Sequence, residues 1–277
     1  MEIPITLPAA PQAVVARDCP ACGAREGPER LRHGRWRLIE CSTCRLVYMP
    51  EIPSAEAIES EFEWSQSFQR ERIERWVSSP LARFWTALVM FLKGSRERRA
   101  LRRIRRSAPA GGRLLDVGAG SGRLAALAQR RGFEVTCVEL SPAMAAKAVQ
   151  RLGAKRVRVG RLADFAFEPA SFDVAVAISF IEHEPEPALL LRRLHEILRD
   201  GGALLLKAPN YDSRLRTLRG KNWAGYRWPE HVQYFTPRTL SALVCAAGFE
   251  IGRIDAPALG DNLWLVARRC ARLAPAT

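Results

Sequence analysis

Leu114-Leu-Asp-Val-Gly-Ala-Gly-Ser-Gly122 is an apolar run that carries one acid and then breaks into glycines at every second position. Leu114–Val117 reads as a buried strand. Gly118, Ala119, Gly120 and Gly122 read as a tight turn with accessible backbone amides, and Arg123 onward opens a helix. A strand, a glycine turn and a helix in that order cradle a nucleotide-type cofactor. The dinucleotide fingerprint G-x-G-x-x-G would need a glycine at position 123, where the chain has Arg123, so hydride transfer loses its motif. Asp116 at the strand end would repel a pyrophosphate and suits a cationic, amino-bearing ligand. Glu139 closes the next apolar run, where a carboxylate accepts from both ribose hydroxyls. Together the two acids call for a nucleoside without phosphates whose other end carries an amino acid.

Working outward, the alternation continues. Residues 113–117, 134–138, 156–159, 172–178 and 203–207 read as buried strands, with helices near 121–131, 141–151 and 186–199. This βα alternation predicts a parallel sheet with helices on both faces. An irregular stretch, 208–235, is rich in aromatics and arginine. A helix at 237–247 and strands at 249–254 and 262–268 follow.

Upstream stand two hooks, Cys19-Pro-Ala-Cys22 and Cys41-Ser-Thr-Cys44, eighteen residues apart. That is the spacing of a four-thiolate zinc site; a redox pair is the rival reading. A closed thiolate shell makes the zinc structural rather than catalytic. The expected organisation is a loose leader (1–18), a zinc module (19–50), a helical lid or linker (54–106) and a cofactor-binding domain (111–270) with an acceptor-lid insertion at 208–235. Cys137, Cys245 and Cys270 read as buried thiols, and a reducing cytoplasm fits the cysteine usage.

The formal charge is +14, and only five of the 43 basic residues are lysines. Such an excess favours anionic partners, or is an arginine bias spread over solvated surface. Residues 80–92 are apolar on nearly all sides and a basic run reaches Arg106. This is the pattern of a membrane-surface element at an anionic inner face, or of a lid helix with solvated arginines. No run approaches the ~20 apolar residues that span a bilayer. The first residues have no basic region of the secretory kind.

The motifs carry a family resemblance. Leu115-Asp-Val-Gly-Ala-Gly-Ser-Gly122, Val138-Glu-Leu-Ser-Pro142, Phe172-Asp-Val174 and Ile181-Glu-His-Glu-Pro-Glu-Pro187 resemble the motifs of class I S-adenosylmethionine-dependent methyltransferases. The resemblance implies an α/β, Rossmann-like seven-stranded sheet with a small N-terminal zinc module and a helical lid. It implies that Asp116, Gly118, Ala119, Gly120, Gly122, Glu139, Leu140 and Ser179 bind the donor. The family often places an acid directly after the third-strand glycine; here Arg161 follows Gly160, and Asp164 is the nearest acid, either an adenine ligand or a cap.

Pro229-Glu-His231, inside 222–236, resembles the acceptor turn of bacterial zinc-bearing sugar methyltransferases. That likeness implies His231 as general base with Glu230 orienting it, unless the turn is architectural. His183, in the Glu-His turn after the fourth strand, borders the donor methyl in this fold. His33 and His195 read as surface and packing residues. The expected reaction is methyl transfer to a small-molecule acceptor: glycosyl, nucleotide-sugar or lipid-linked. Arg214, Arg216, Arg219, Lys221 and Arg227 are candidates for an anionic head group. A zinc-ribbon RNA methyltransferase is the alternative enzyme, although Ala177-Ile-Ser-Phe180 stands where base-amine enzymes carry an Asn-Pro-Pro-Tyr-type tetrapeptide. A non-enzymatic donor-binding scaffold is the third reading.

Overall fold

The computed structural model describes residues 14–54, 96–109 and 111–271. The N-terminal elements are short strands: β1 (Val14–Ala16), β2 (Glu29–His33), β3 (Trp36–Glu40), β4 (Val47–Tyr48) and β5 (Glu51–Pro53). β1 pairs with β5, so residues 14–16 belong to the module rather than to a loose leader. Helix α1 (Arg96–Ser107) follows, then β6 (Arg113–Val117), α2 (Arg123–Gln129), β7 (Glu134–Glu139), α3 (Pro142–Leu152), β8 (Val157–Val159), β9 (Phe172–Ile178), α4 (Pro187–Ile197) and β10 (Leu198–Pro209). The described residues end with α5 (Arg214–Arg219), β11 (Gln233–Tyr234), α6 (Pro237–Ala246), β12 (Phe249–Asp255) and β13 (Asn262–Arg269).

Seven strands form one sheet in the order β12-β13-β10-β9-β6-β7-β8. The expected all-parallel sheet is corrected at one strand: β13 runs antiparallel to both β10 and β12. The reason is the short connection between β12 and β13. A parallel pair needs a crossover of a dozen or more residues, whereas the six residues 256–261 allow only a hairpin-like return.

Side-chain alternation divides the core. Leu115, Val117, Ala175 and Ala177 face one side, against Leu191 and Leu194 of α4 and Leu240 and Val244 of α6. Leu114, Val174 and Val176 face the other, against Ala100, Leu101 and Ile104 of α1 and Ala125 and Ala128 of α2. A strand buried on both faces must be apolar at every position, which is why 172–178 carries no signal of period two.

α1 is the described end of the expected lid or linker, and it lies on the sheet with most of its arginines outward. Its apolar stripe is buried, Arg103 stacks on Trp264 at 4.6 Å and pairs with Asp255 at 2.8 Å, and Arg98, Arg102, Arg105 and Arg106 are exposed. The apolar stretch 80–92 lies outside the described residues. Among the described residues no helix is long and apolar enough to cross a membrane.

A four-stranded sheet, β11-β4-β3-β2, joins the cysteine module to the 208–235 insertion. β11 pairs with β4 through Gln233 opposite Tyr48 and Tyr234 opposite Val47. A third apolar cluster seals this contact: Trp36, Leu38, Val47, Met49 and Ile52 pack with Trp223, Val232 and Tyr234. The module therefore shares a core with the segment that carries His231.

Candidate active site

The carboxyl ends of β6, β7 and β9 lie side by side, with Val117 paired to Val138 and to Ala177. Asp116 is 3% exposed, and its Oδ2 is buried without a hydrogen-bond partner. Burial pushes its carboxyl up to about 7, with Glu139 adding to the rise and Arg96 opposing it. Gly118 has φ 67°, and a Cβ there would sit 2.3 Å from the Phe180 ring. No side chain fits at that place. The Gly118 and Ala119 amides donate to Val138 O at 2.9 and 3.2 Å, strapping the turn to β7. Glu139 accepts from Gly120 N at 2.6 Å and from Ser141 N at 2.9 Å. Burial raises its carboxyl, and the amides of Ser141, Gly120 and Leu140 oppose the rise. Leu140 is partly exposed beside it. Ser179 has φ 57°, and its Oγ accepts from Lys207 Nζ at 2.6 Å. Asp164 Oδ2 accepts from Arg161 N at 2.6 Å, capping the 3-10 turn Leu162–Asp164.

A second group of side chains adjoins this pocket. Glu182, His183 and His231 each place one ligating atom within 4.8 Å of the others. Two segments bring them together: Val232 N donates to Glu182 O at 3.0 Å, and Gln233 Nε2 donates to Ile181 O and Glu184 O, each at 2.6 Å. Burial is the main cause pushing His183 down to about 3, with Arg227 next; it also drives His231 well below the usual imidazole range, helped by His183 and Arg227. Burial thus favours the neutral form of both rings. Burial raises Glu182 to about 7 against the pull of Lys207, Arg227 and Arg96. Phe180, two residues before Glu182, is the ring that faces Gly118, so the cluster follows directly on the residue that packs on the donor turn.

Glu230 is not the group that orients His231 through Nδ1. Its carboxylate pairs with Arg227 at 2.9 Å, and His231 Nδ1 lies 2.8 Å from Gly225 O. Glu230 contributes its backbone instead, through a 3.0 Å contact from its carbonyl to His183 Nδ1.

A protein-family profile described as "Methyltransferase domain" matches residues 92–253, more than half of the chain. The chain belongs to that methyltransferase family. A curated relative, the ubiquinone biosynthesis O-methyltransferase of Xanthomonas axonopodis pv. citri, is 37% identical over 109 residues, covering 37% of this chain and 45% of that protein. This chain thus matches less than half the length of that relative. An S-adenosylmethionine-dependent methyltransferase of Thermotoga maritima shares the fold with TM-score 0.50 and 23% identity, covering 61% of this chain and 87% of that one. The [4+2]-cyclase SpnF fits equally, with TM-score 0.50, 21% identity and coverage of 62% and 81%. The fold alone therefore does not name the reaction.

For this methyltransferase, the pocket suits S-adenosylmethionine chemically. Asp116 offers an unsatisfied buried carboxylate oxygen to an ammonium, and Gly120 leaves open space where a side chain would stand. Sequence reasoning passed over three residues of the methyltransferase site. Glu182 was visible only as the neighbour of His183. Phe180 and Lys207 carried no motif, and only the fold brings them to Gly118 and Ser179.

The four cysteines of the methyltransferase form a second centre. Cys19 Sγ lies 3.5 Å from Cys44 Sγ, and Cys22 Sγ lies 3.5 Å from Cys41 Sγ. All four sulfurs fall within 4.8 Å of one another, as tetrahedral thiolate ligation requires. Gly23 and Arg45, directly after each hook, share a left-handed φ of 75° and 68°. Cys137 is buried as expected, but Cys245 is exposed and Cys270 half-buried. Cys245 lies on the solvent side of α6 because the buried stripe of that helix is Leu240, Leu243 and Val244. His33 stacks on Trp228 at 5.8 Å, and His195 packs on Phe249 with Nε2 3.1 Å from Cys270 O.

Proposed function

We propose that this methyltransferase transfers the methyl group of S-adenosylmethionine to a hydroxyl of a small-molecule acceptor, glycosyl or lipid-linked. The observation that carries the reading is the convergence of Glu182, His183 and His231, just beyond the Phe180 ring that faces Gly118. Methyl transfer from a sulfonium needs in-line placement and exclusion of water. A hydroxyl acceptor needs its proton removed as well, and that cluster is the adjoining group of neutral imidazoles and a carboxyl. The O-methyltransferase name of the Xanthomonas relative, whose match is partial, supports an oxygen acceptor. Asp116 would hold the donor ammonium, Glu139 the ribose, and the Gly118–Gly122 turn the methionine moiety; His231 is the acceptor-side base.

The zinc proposed for Cys19, Cys22, Cys41 and Cys44 serves position rather than chemistry. It would brace β4, whose partner strand β11 begins two residues after His231. The head-group reading narrows. Arg216 stacks on Tyr211 at 4.1 Å, Arg219 pairs with Asp261 at 3.3 Å, and Arg227 is engaged with Glu230. Arg214 and Lys221 remain on the surface for an anionic acceptor.

The test is turnover against a panel of hydroxyl acceptors, read as S-adenosylhomocysteine release, for wild type and His231→Gln. The reading expects donor binding to persist in the variant while turnover falls about 100-fold or more, in the range of a lost acid–base group. Unchanged turnover would remove His231 from the mechanism.

A further inference from the structure

The geometry around Glu182, His183 and His231 points to more than a base. The two rings meet edge to face, with centroids 4.6 Å apart and planes at 80°. Each ring turns its Nδ1 to a backbone carbonyl: His183 to Glu230 O at 3.0 Å and His231 to Gly225 O at 2.8 Å. A carbonyl oxygen only accepts, so each Nδ1 carries the hydrogen and donates it. That leaves the lone pair of both rings on Nε2. Imidazoles anchored in this way through one nitrogen are held as metal ligands are held, with tautomer and orientation set before the ion arrives.

The third member is a carboxylate with an open valence. Glu182 is 1% exposed, and its Oε2 is buried with no hydrogen-bond partner. An orphaned polar atom of that kind costs about 1–3 kcal/mol unless something completes it. The nearby cations pull on its charge without hydrogen-bonding Oε2. Lys207 Nζ donates to Ser179 Oγ at 2.6 Å, and Arg227 pairs with Glu230 at 2.9 Å. One ligand-type atom from each of the three side chains already lies within 4.8 Å of the others, and atoms on one ion with bonds of about 2.1 Å sit roughly 3.4 Å apart in a tetrahedral arrangement. Small side-chain rotations close that gap.

We infer that Glu182, His183 and His231 form a site for one divalent first-row transition cation, separate from the four-thiolate centre. Two imidazoles and one carboxylate leave coordination positions open, and the donor set suits manganese, iron, cobalt or zinc better than calcium. The site stands on its own geometry; its role rests on reading this pocket as the acceptor end. There an open position takes the acceptor hydroxyl, whose proton passes to solvent. An oxygen lone pair then forms the bond to the methyl carbon, the carbon–sulfur bond breaks, and its electron pair stays on sulfur, turning the sulfonium into a neutral thioether. With the cation bound, His231 is its ligand and the cation lowers the hydroxyl pKa; with the site empty, His231 is the base of the proposed function.

The test is a calorimetric titration of the full chain with Mn²⁺ after its cysteine centre has been filled with zinc, since thiolates favour softer ions. Wild type is expected to bind one Mn²⁺, with affinity falling roughly tenfold or more in Glu182→Gln, His183→Gln and His231→Gln. S-Adenosylhomocysteine binding, unchanged in at least one variant, certifies that the loss is not unfolding. No Mn²⁺ binding by wild type up to millimolar concentration would overturn the site. So would equal binding by well-folded variants. If wild type binds no Mn²⁺ and His231→Gln still abolishes turnover, the cation falls while the hydroxyl-acceptor reading stands. If Mn²⁺ binds as expected but no hydroxyl acceptor is methylated, the site stands and that reading falls.

Discussion

Single residues decide whether the donor pocket works, and Asp116 is the most exposed to test. Its carboxyl is buried, lacks a partner on Oδ2 and is pushed up to about 7, chiefly by burial. The ammonium of the donor would pair with the ionised form. Below about pH 7 the carboxyl is protonated and must lose its proton on binding; above it no such cost remains. Donor affinity should therefore rise with pH up to about 7 and level off beyond it, falling by up to about tenfold per unit on the acid side. Calorimetry between pH 5.5 and 8.5 reads this directly, and a flat profile would show that Asp116 does not meet the ammonium. Gly118→Ala should abolish donor binding, because φ 67° and the Phe180 ring both exclude a Cβ. Donor binding by Gly118→Ala at wild-type strength would show that the turn can open.

At the scale of elements, the joint between module and catalytic sheet turns on Arg17. Its guanidinium donates to Met49 O at 2.9 Å, Pro185 O at 2.8 Å and Val232 O at 2.5 Å. Burial lowers it to about 10, so it stays charged at neutral pH. Arg17→Ala strands those carbonyls and should cost about 2–4 kcal/mol, lowering Tm by roughly 4–16 °C for a chain of this size. Differential scanning fluorimetry measures it, and an unchanged Tm would mean the joint does not depend on Arg17. Turnover should fall in the same variant, since Val232 is the neighbour of His231. The elements themselves were largely readable: the strands expected at 113–117, 134–138 and 172–178 and the helices expected at 141–151 and 237–247 fall within a residue of the observed ones. The joint was not. β1, β5 and β11 are two or three residues long, too short for a period, and β11 gains its identity only by pairing with β4. For the same reason His231 was visible in sequence while its tautomer-setting partner, the Gly225 carbonyl, was not. A backbone acceptor leaves no trace in residue type.

For the whole molecule, the +14 charge is spread unevenly. Arg99, Arg102, Arg103, Arg106, Arg253 and Arg268 line a groove of about 520 Å³ between α1 and the β12–β13 edge, with no donor-turn residue in its lining. Salt then separates the competing acceptors. An RNA substrate would require binding that weakens steeply with salt, by about one log unit per log unit of salt for each phosphate neutralised. Small-molecule turnover should instead change little between low and physiological ionic strength. A steep loss of turnover would return the weight to nucleic acid. The central claim, that this chain holds S-adenosylmethionine through Asp116 and the Gly118–Gly122 turn, is tested most directly by calorimetry of donor binding at pH 8, wild type against Asp116→Asn. The substitution preserves shape and removes the charge. The account predicts binding by wild type and a loss of roughly tenfold or more in the variant, as expected for a buried charge-assisted hydrogen bond; equal affinities, or no binding by folded wild type, would contradict it.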